Sequence, residues 1–203
     1  MKSTEDYIVK RIQSKGHGFV FTPKDFLDLG SRGSVDMALS SLTKTGKIRR
    51  LCRGVYDYPK HSELLGEMLA PDFDQVAHAI ARKTGARIQP SGALAANLLG
   101  LSEQVPAKIL YLSDGRSRTI RIGSQAIIFK QTSPKDLLPS EKSAMVVNAL
   151  RFLGKAAVTD EIIKKLSQFL SPAERKRLLK DARYTSTWIP EAVRRIAGEK
   201  SDG

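Results

Sequence analysis

The stretch from Gly30 to Gly54 constrains this chain more than any other. After the turn Ser31-Arg32-Gly33, Ser34 offers a helix cap, and Val35, Ala38, Leu39 and Leu42 recur so that they share one apolar face at 100° per residue. Gly46 ends that helix. The run Lys47-Ile48-Arg49-Arg50-Leu51-Cys52 then reads as a strand, Arg53-Gly54 as a two-residue turn, and Val55-Tyr56-Asp57-Tyr58 as the returning strand, closed by Pro59.

The residues upstream complete a small domain. Ser3 or Thr4 can cap a first helix with a narrow stripe of Tyr7, Ile8 and Ile12, ending at Gly16 or Gly18. Phe19-Val20-Phe21 is a short extended piece, and Thr22-Pro23 places a cap before a proline at the first helical position, opening a short helix through Leu29. The order is helix, extended piece, helix, tight turn, helix and two-stranded wing, which is what a winged helix-turn-helix requires. The expected fold class is therefore α+β: a winged helix-turn-helix over residues 1–60, then a mixed α+β domain over residues 61–203.

In that second segment the stretch Leu64 to Gly100 reads as mainly helical, with Phe73, Val76, Ala77 and Ile80 on one face and an apolar helix from Ala93 to Leu99 after Ser91. Strands follow at Ile109-Leu110-Tyr111-Leu112 and on either side of Gly123-Ser124, a hairpin signal that completes a small antiparallel sheet. Terminal helices are expected over 141–153, 159–170 and 172–184, with a short one after Pro190. Ser171-Pro172-Ala173-Glu174 is a capping box, and Trp188 reads as a core plug.

Charge narrows the partners. Lys and Arg number 34 against 21 Asp and Glu, a net of +13, and residues 1–60 hold 12 basic and 6 acidic side chains, the most basic segment for its length. Such a surface attracts polyanions by counterion release, nucleic acid first and anionic membrane second. Cys52, the sole cysteine, excludes an internal disulfide or a thiolate-rich zinc site and reads as a small buried apolar residue. The opening MKSTEDYIVK has no apolar run of signal-peptide length, so a cytoplasmic protein with no membrane association is expected.

The third helix leaves Met37, Ser40, Ser41 and Lys44 pointing outward, where short polar side chains read base edges and a long basic one holds phosphate. Arg32 and Ser34 stand at its entrance, where free N–H groups and the helix dipole favour a phosphate. Lys47, Arg49, Arg50 and Arg53 set four cations on the wing within seven residues. Double-stranded DNA is the expected partner of these ten residues; the alternative is a winged helix that binds protein. Asp36, on the helix flank, reads as an N-terminal carboxylate supporting the first turn or as an acceptor from a cytosine amino group.

The stretch from Gly33 to Arg50, followed by Arg53-Gly54-Val55-Tyr56, resembles the N-terminal winged helix of the AbiEi-type antitoxins of type IV toxin–antitoxin systems. The segment from Ser91 to Ser102, with Pro106 and Tyr111-Leu112-Ser113 beyond, is similar to that family's next segment. The resemblance implies autorepression through inverted repeats in the chain's own operator, and antagonism of a nucleotidyltransferase-like toxin. It covers roughly residues 1–130; no cofactor is expected.

Enzymatic readings find little support. Gly30-Ser31 and Gly33-Ser34 before Asp36 invite comparison with a nucleotidyltransferase metal site, but Ala38 stands where a second carboxylate belongs. His17, His61 and His78 lack metal-ligand spacing, and no nucleophile elbow or phosphate-cradling Gly-Lys-Ser/Thr loop occurs. No catalytic or metal-binding residue is therefore expected. The basic run Arg175, Lys176, Arg177, Lys180 and Arg183 reads as a solvated face, a second DNA contact or a contact to an acidic toxin.

Overall fold

The computed structural model describes residues 3–64, 66–103, 108–185 and 188–199, so Pro106 lies outside the described residues. The chain is a mixed α+β structure that divides into two compact units, residues 1–86 with 120–127, and residues 87–119 with 128–203.

The first unit opens with α1, Thr4–Lys15. Ser3 caps it reciprocally: its Oγ accepts from the Asp6 N–H at 3.2 Å while the Asp6 carboxylate accepts from the Ser3 N–H at 2.8 Å. Ile8 and Ile12 are buried, but Tyr7 is 47% exposed and does not join their stripe. The reason is angular: Val9 lies about 60° from Ile12 and Tyr7 about 140°, so Val9 packs at the core edge instead.

Strand β1, Val20–Phe21, leads into a single 3-10 turn, Pro23–Phe26, shorter than the helix to Leu29 that the sequence suggests. Only Pro23 and Phe26 are buried there, while Leu27 is 45% exposed, so a longer helix would have little to bury. Arg11 fixes this connection by donating to the Asp25 carbonyl at 2.9 Å and to both carboxylate oxygens of Asp28 at 2.8 and 2.6 Å. The same hydrogen bonds hold the Asp28 carboxyl below its ordinary range. A Cβ at Gly30 would stand 3.0 Å from the Thr4 side chain, so the chain passes there close to the start of α1.

Helix α2 runs Arg32–Lys44 and buries Val35, Ala38, Leu39 and Leu42. Its cap is Ser31, not Ser34: Ser31 Oγ accepts from the Ser34 N–H at 3.2 Å, which starts the helix three residues earlier than expected. After α2 the Leu42 carbonyl accepts from both the Lys47 and Ile48 N–H groups, and Gly46 supplies the positive φ of 71° that this tight exit needs. Strands β2, Arg49–Cys52, and β3, Val55–Asp57, follow, and β1 joins them in a three-stranded sheet of order β1-β3-β2. Both pairings are antiparallel. Ile8, Ile12, Phe21, Phe26, Val35, Leu39, Leu42 and Ile48 form the core between helices and sheet.

Where a helix was expected from Leu64 onward, the chain instead forms a two-stranded ribbon of β4, His61–Ser62, and β5, Glu67–Met68, with Leu64 95% exposed. The helix starts only after Pro71, when Asp72 accepts from the N–H groups of Asp74 and Gln75. This α3, Phe73–Thr84, packs on β1 and β3 and buries Val76, Ala77 and Ile80, so the unit extends well past residue 60.

The rest of the chain contains β6 (Ile88–Pro90), α4 (Gly92–Leu98), β7 (Ile109–Ser113), β8 (Arg118–Ile122), β9 (Gln125–Gln131), α5 (Glu141–Leu153), α6 (Asp160–Phe169), α7 (Pro172–Asp181) and α8 (Ile189–Ala197), with residues 120–127 of β8, β9 and their turn counted in the first unit and the remainder in the second. Strands β6 to β9 form a sheet of order β6-β7-β9-β8, with β6 antiparallel to β7. Helices α4 and α5 pack closely because a Cβ at Gly92 would stand 2.8 Å from Phe152 Cβ and 2.9 Å from the Asn148 carbonyl. Ala95, Ala96, Val147, Leu150, Leu166, Leu178, Ile189 and Val193 fill the helical core, and Trp188 packs against it as expected. The predicted capping box is present at Ser171 and Glu174, but α7 stops at Asp181, short of residue 184. Among the described residues, no helix is long and apolar enough to cross a membrane.

Candidate nucleic-acid interface

With its apolar face buried, α2 presents Met37, Ser40 and Lys44 on one exposed ridge at i, i+3 and i+7. Met37 is 70% exposed, unusual for a methionine in a folded unit. Ser41 lies half-buried on the flank of that ridge. At the helix entrance the Ser34 amide is used by the Ser31 cap, so it is not available to an anion as the sequence suggests. Arg32 donates along the helix to Asp36 at 2.8 Å, both side chains remaining about half exposed. Asp36 lies beyond the first turn and serves as the acceptor for Arg32, not as an N-terminal carboxylate.

The four hairpin cations separate into two kinds. Lys47, Arg50 and Arg53 are exposed. Arg49 instead binds Asp57 through two hydrogen bonds, Nε to Oδ1 at 3.1 Å and Nη2 to Oδ2 at 2.6 Å, and donates from Nη1 to the Leu69 carbonyl at 3.1 Å. The Asp57 side chain is 1% exposed, so Arg49 neutralises a carboxylate that would otherwise be buried without a counter-charge. Arg49 therefore belongs to the framework, and three of the four hairpin cations remain for a ligand.

Register decides which arginine this is. A regular hairpin through Arg53-Gly54 that pairs Cys52 with Val55 would set Arg50 opposite Asp57. The observed pairs are Cys52↔Val55, Arg50↔Tyr56 and Arg49↔Asp57, with a shift between Arg50 and Cys52. That one-residue irregularity brings Arg49 to the carboxylate and sends Arg50 outward. The hairpin tip is also held from α3: Lys83 Nζ donates to the Arg53 carbonyl, close to Gly54 at φ 69°. Cys52 is half-buried rather than fully enclosed.

Elsewhere the cations are partly committed. In α7, Arg175 donates to Ser167 Oγ at 3.3 Å and Arg177 lies 3.9 Å from Asp181, leaving Lys176 and Lys180 exposed. His17 stacks on Tyr58, and His78 sits 3.6 Å from Asp74. Among the described residues there is no group of three or more His, Cys, Asp or Glu side chains arranged to hold a metal ion.

A family match covers residues 7–178, and the chain belongs to that family, DUF6088, described as a family of unknown function. No curated protein matches the chain. Among solved structures it is similar to the crystal structure of the RV2827C protein from Mycobacterium tuberculosis, at 16% identity over 91% of this chain and 78% of that one, with a TM-score of 0.39.

Proposed function

We propose that the first unit is a winged helix-turn-helix that binds duplex DNA, and that the chain is a cytoplasmic autorepressor acting as the antitoxin of a type IV pair with a nucleotidyltransferase-like toxin. The observation that carries the reading is the juxtaposition of the exposed Met37-Ser40-Lys44 ridge of α2 with a hairpin whose Lys47, Arg50 and Arg53 are exposed and whose fourth cation is used to brace it. The element order α1, β1, 3-10 turn, α2, β2, β3 and the sheet order β1-β3-β2 are compatible with it. In this reading α2 enters the major groove, its serines approach base edges, and the hairpin cations hold the backbone. The toxin-facing half rests on the resemblance of residues 33–56 and 91–102 to the AbiEi-type antitoxins.

Gel-shift titration with the duplex upstream of the chain's own operon tests the DNA half. Binding tighter than to random duplex, weakened by salt and by R50A and R53A, is expected. Equal affinity for any duplex, or loss of a protein partner instead of DNA on those substitutions, overturns it in favour of a protein-binding module. Co-expression with the product of the neighbouring gene tests the second half: relief of growth arrest by this chain is expected.

A further inference from the structure

The first unit contains a cleft that meets the proposed DNA contact only at Lys47. Its volume is about 320 Å³, at the small end of the ~300–1,000 Å³ of ligand sites. Val9, Ile12, Leu42 and Ile48 form its floor, the last three buried. One wall is His17 stacked on Tyr58, with ring centroids 4.0 Å apart and planes 18° from parallel. His17 Nδ1 donates to the Pro59 carbonyl at 2.7 Å, which fixes the ring and leaves Nε2 as its other polar atom. Lys47 stands at the rim, and neither Asp nor Glu is among the residues lining the cleft.

We infer that this cleft binds a small aromatic monocarboxylate, its ring between the aliphatic floor and the His17–Tyr58 wall and its carboxylate on Lys47. The lining selects that class by elimination. A cation would meet Lys47 with no acid to offset it, and a strongly polar ligand would leave the floor's apolar surface facing polar groups. A neutral arene would fit the floor but forgo the charge-assisted hydrogen bond to the ammonium. Resting on the DNA-binding reading, there is a further step: Lys47 is one of the three exposed cations beside the hairpin, and a carboxylate held on it removes one phosphate contact. Ligand and DNA then weaken each other by the same factor.

The test begins on the full-length protein free of DNA, titrated with 2-naphthoate and followed by the probe's fluorescence and by backbone amide shifts. Saturable binding with shifts concentrated in residues 9–17 and 42–59 is expected. Lys47→Gln should weaken it roughly tenfold or more, the loss expected for one charge-assisted bond. Gln13→Trp, at an exposed lining position, should block it while leaving the amide spectrum folded. Neutral 2-naphthalenemethanol should bind at least about tenfold less tightly. Absence of saturation at millimolar 2-naphthoate, binding unchanged by both substitutions, or equal binding of the alcohol overturns the site. Saturating 2-naphthoate should then lower affinity for the operator duplex and reduce the salt slope by about one. An unchanged slope and affinity overturn the coupling; failure of the ligand-free protein to bind duplex sinks the DNA reading alone and leaves the naphthoate titration to stand by itself.

Discussion

Arg49 and Arg50 are adjacent in the chain, yet one is a brace and the other is free. Asp57→Ala removes the buried partner of Arg49 and should lower unfolding free energy by about 2–3 kcal/mol in urea titration, below the ~3–5 typical of fully buried pairs because Arg49 keeps some exposure and its bond to Leu69. Arg50→Ala and Arg53→Ala should change stability by less than about 0.5 kcal/mol. In gel-shift titrations under the proposed function, each of those two should weaken duplex binding and cut the salt slope by about one. This division was not legible in the sequence, where four cations in seven residues look alike; it depends on a register shift that no residue type announces. A second residue-scale prediction concerns Glu174, whose carboxyl is lowered from 4.5 to about 2, chiefly by its hydrogen bond from Lys142 and then by the Ser171 N–H. A depressed carboxyl stabilises fully above its ordinary value and loses that contribution as pH falls through about 2. The side-chain carbon shift of Glu174 should titrate there, and Lys142→Ala should move the midpoint upward.

Helix α2 behaves as its pattern dictates: the four apolar positions are buried and the opposite ridge is open. Leu39→Ala, at 0% exposure, should cost about 2–5 kcal/mol by calorimetry or urea unfolding, whereas Met37→Ala should be nearly neutral for folding. Under the proposed function, Met37→Ala and Ser40→Ala should alter base preference at one position, by less than the ~1–3 kcal/mol of a bidentate contact, because a thioether and a single hydroxyl each offer at most one contact to a base edge. The elements with strong periodicity and explicit caps, α1, α2, α5, α6 and the β8–β9 hairpin, were readable within a few residues. The failures share a cause. Residues 61–71 and the 3-10 turn at Pro23 are short segments in which apolar residues such as Leu64 and Leu27 face solvent, so composition points toward a helix that packing does not support. Strand β6, three residues ending in Pro90, carries too little pattern to be seen before its partner β7 is known.

For the whole molecule, the net charge of +13 predicts association with polyanions that falls steeply with salt, and a log–log plot of duplex affinity against salt should be linear over tens to hundreds of millimolar. A flat plot would mean that the excess cations serve solubility alone. The sequence placed the N-terminal boundary near residue 60, where the hairpin ends; the first compact unit continues through α3 because β1 and β3 still have an apolar back to cover. The Lys83 bond to the Arg53 carbonyl extends this logic to the hairpin tip. Anyone trimming the chain at Lys60 to obtain a minimal N-terminal piece would strip away both that tether and the cover over the strands. The product should be sticky, with a fraying loop where a firm edge had been, and any useful fragment must retain at least the helix ending at Thr84.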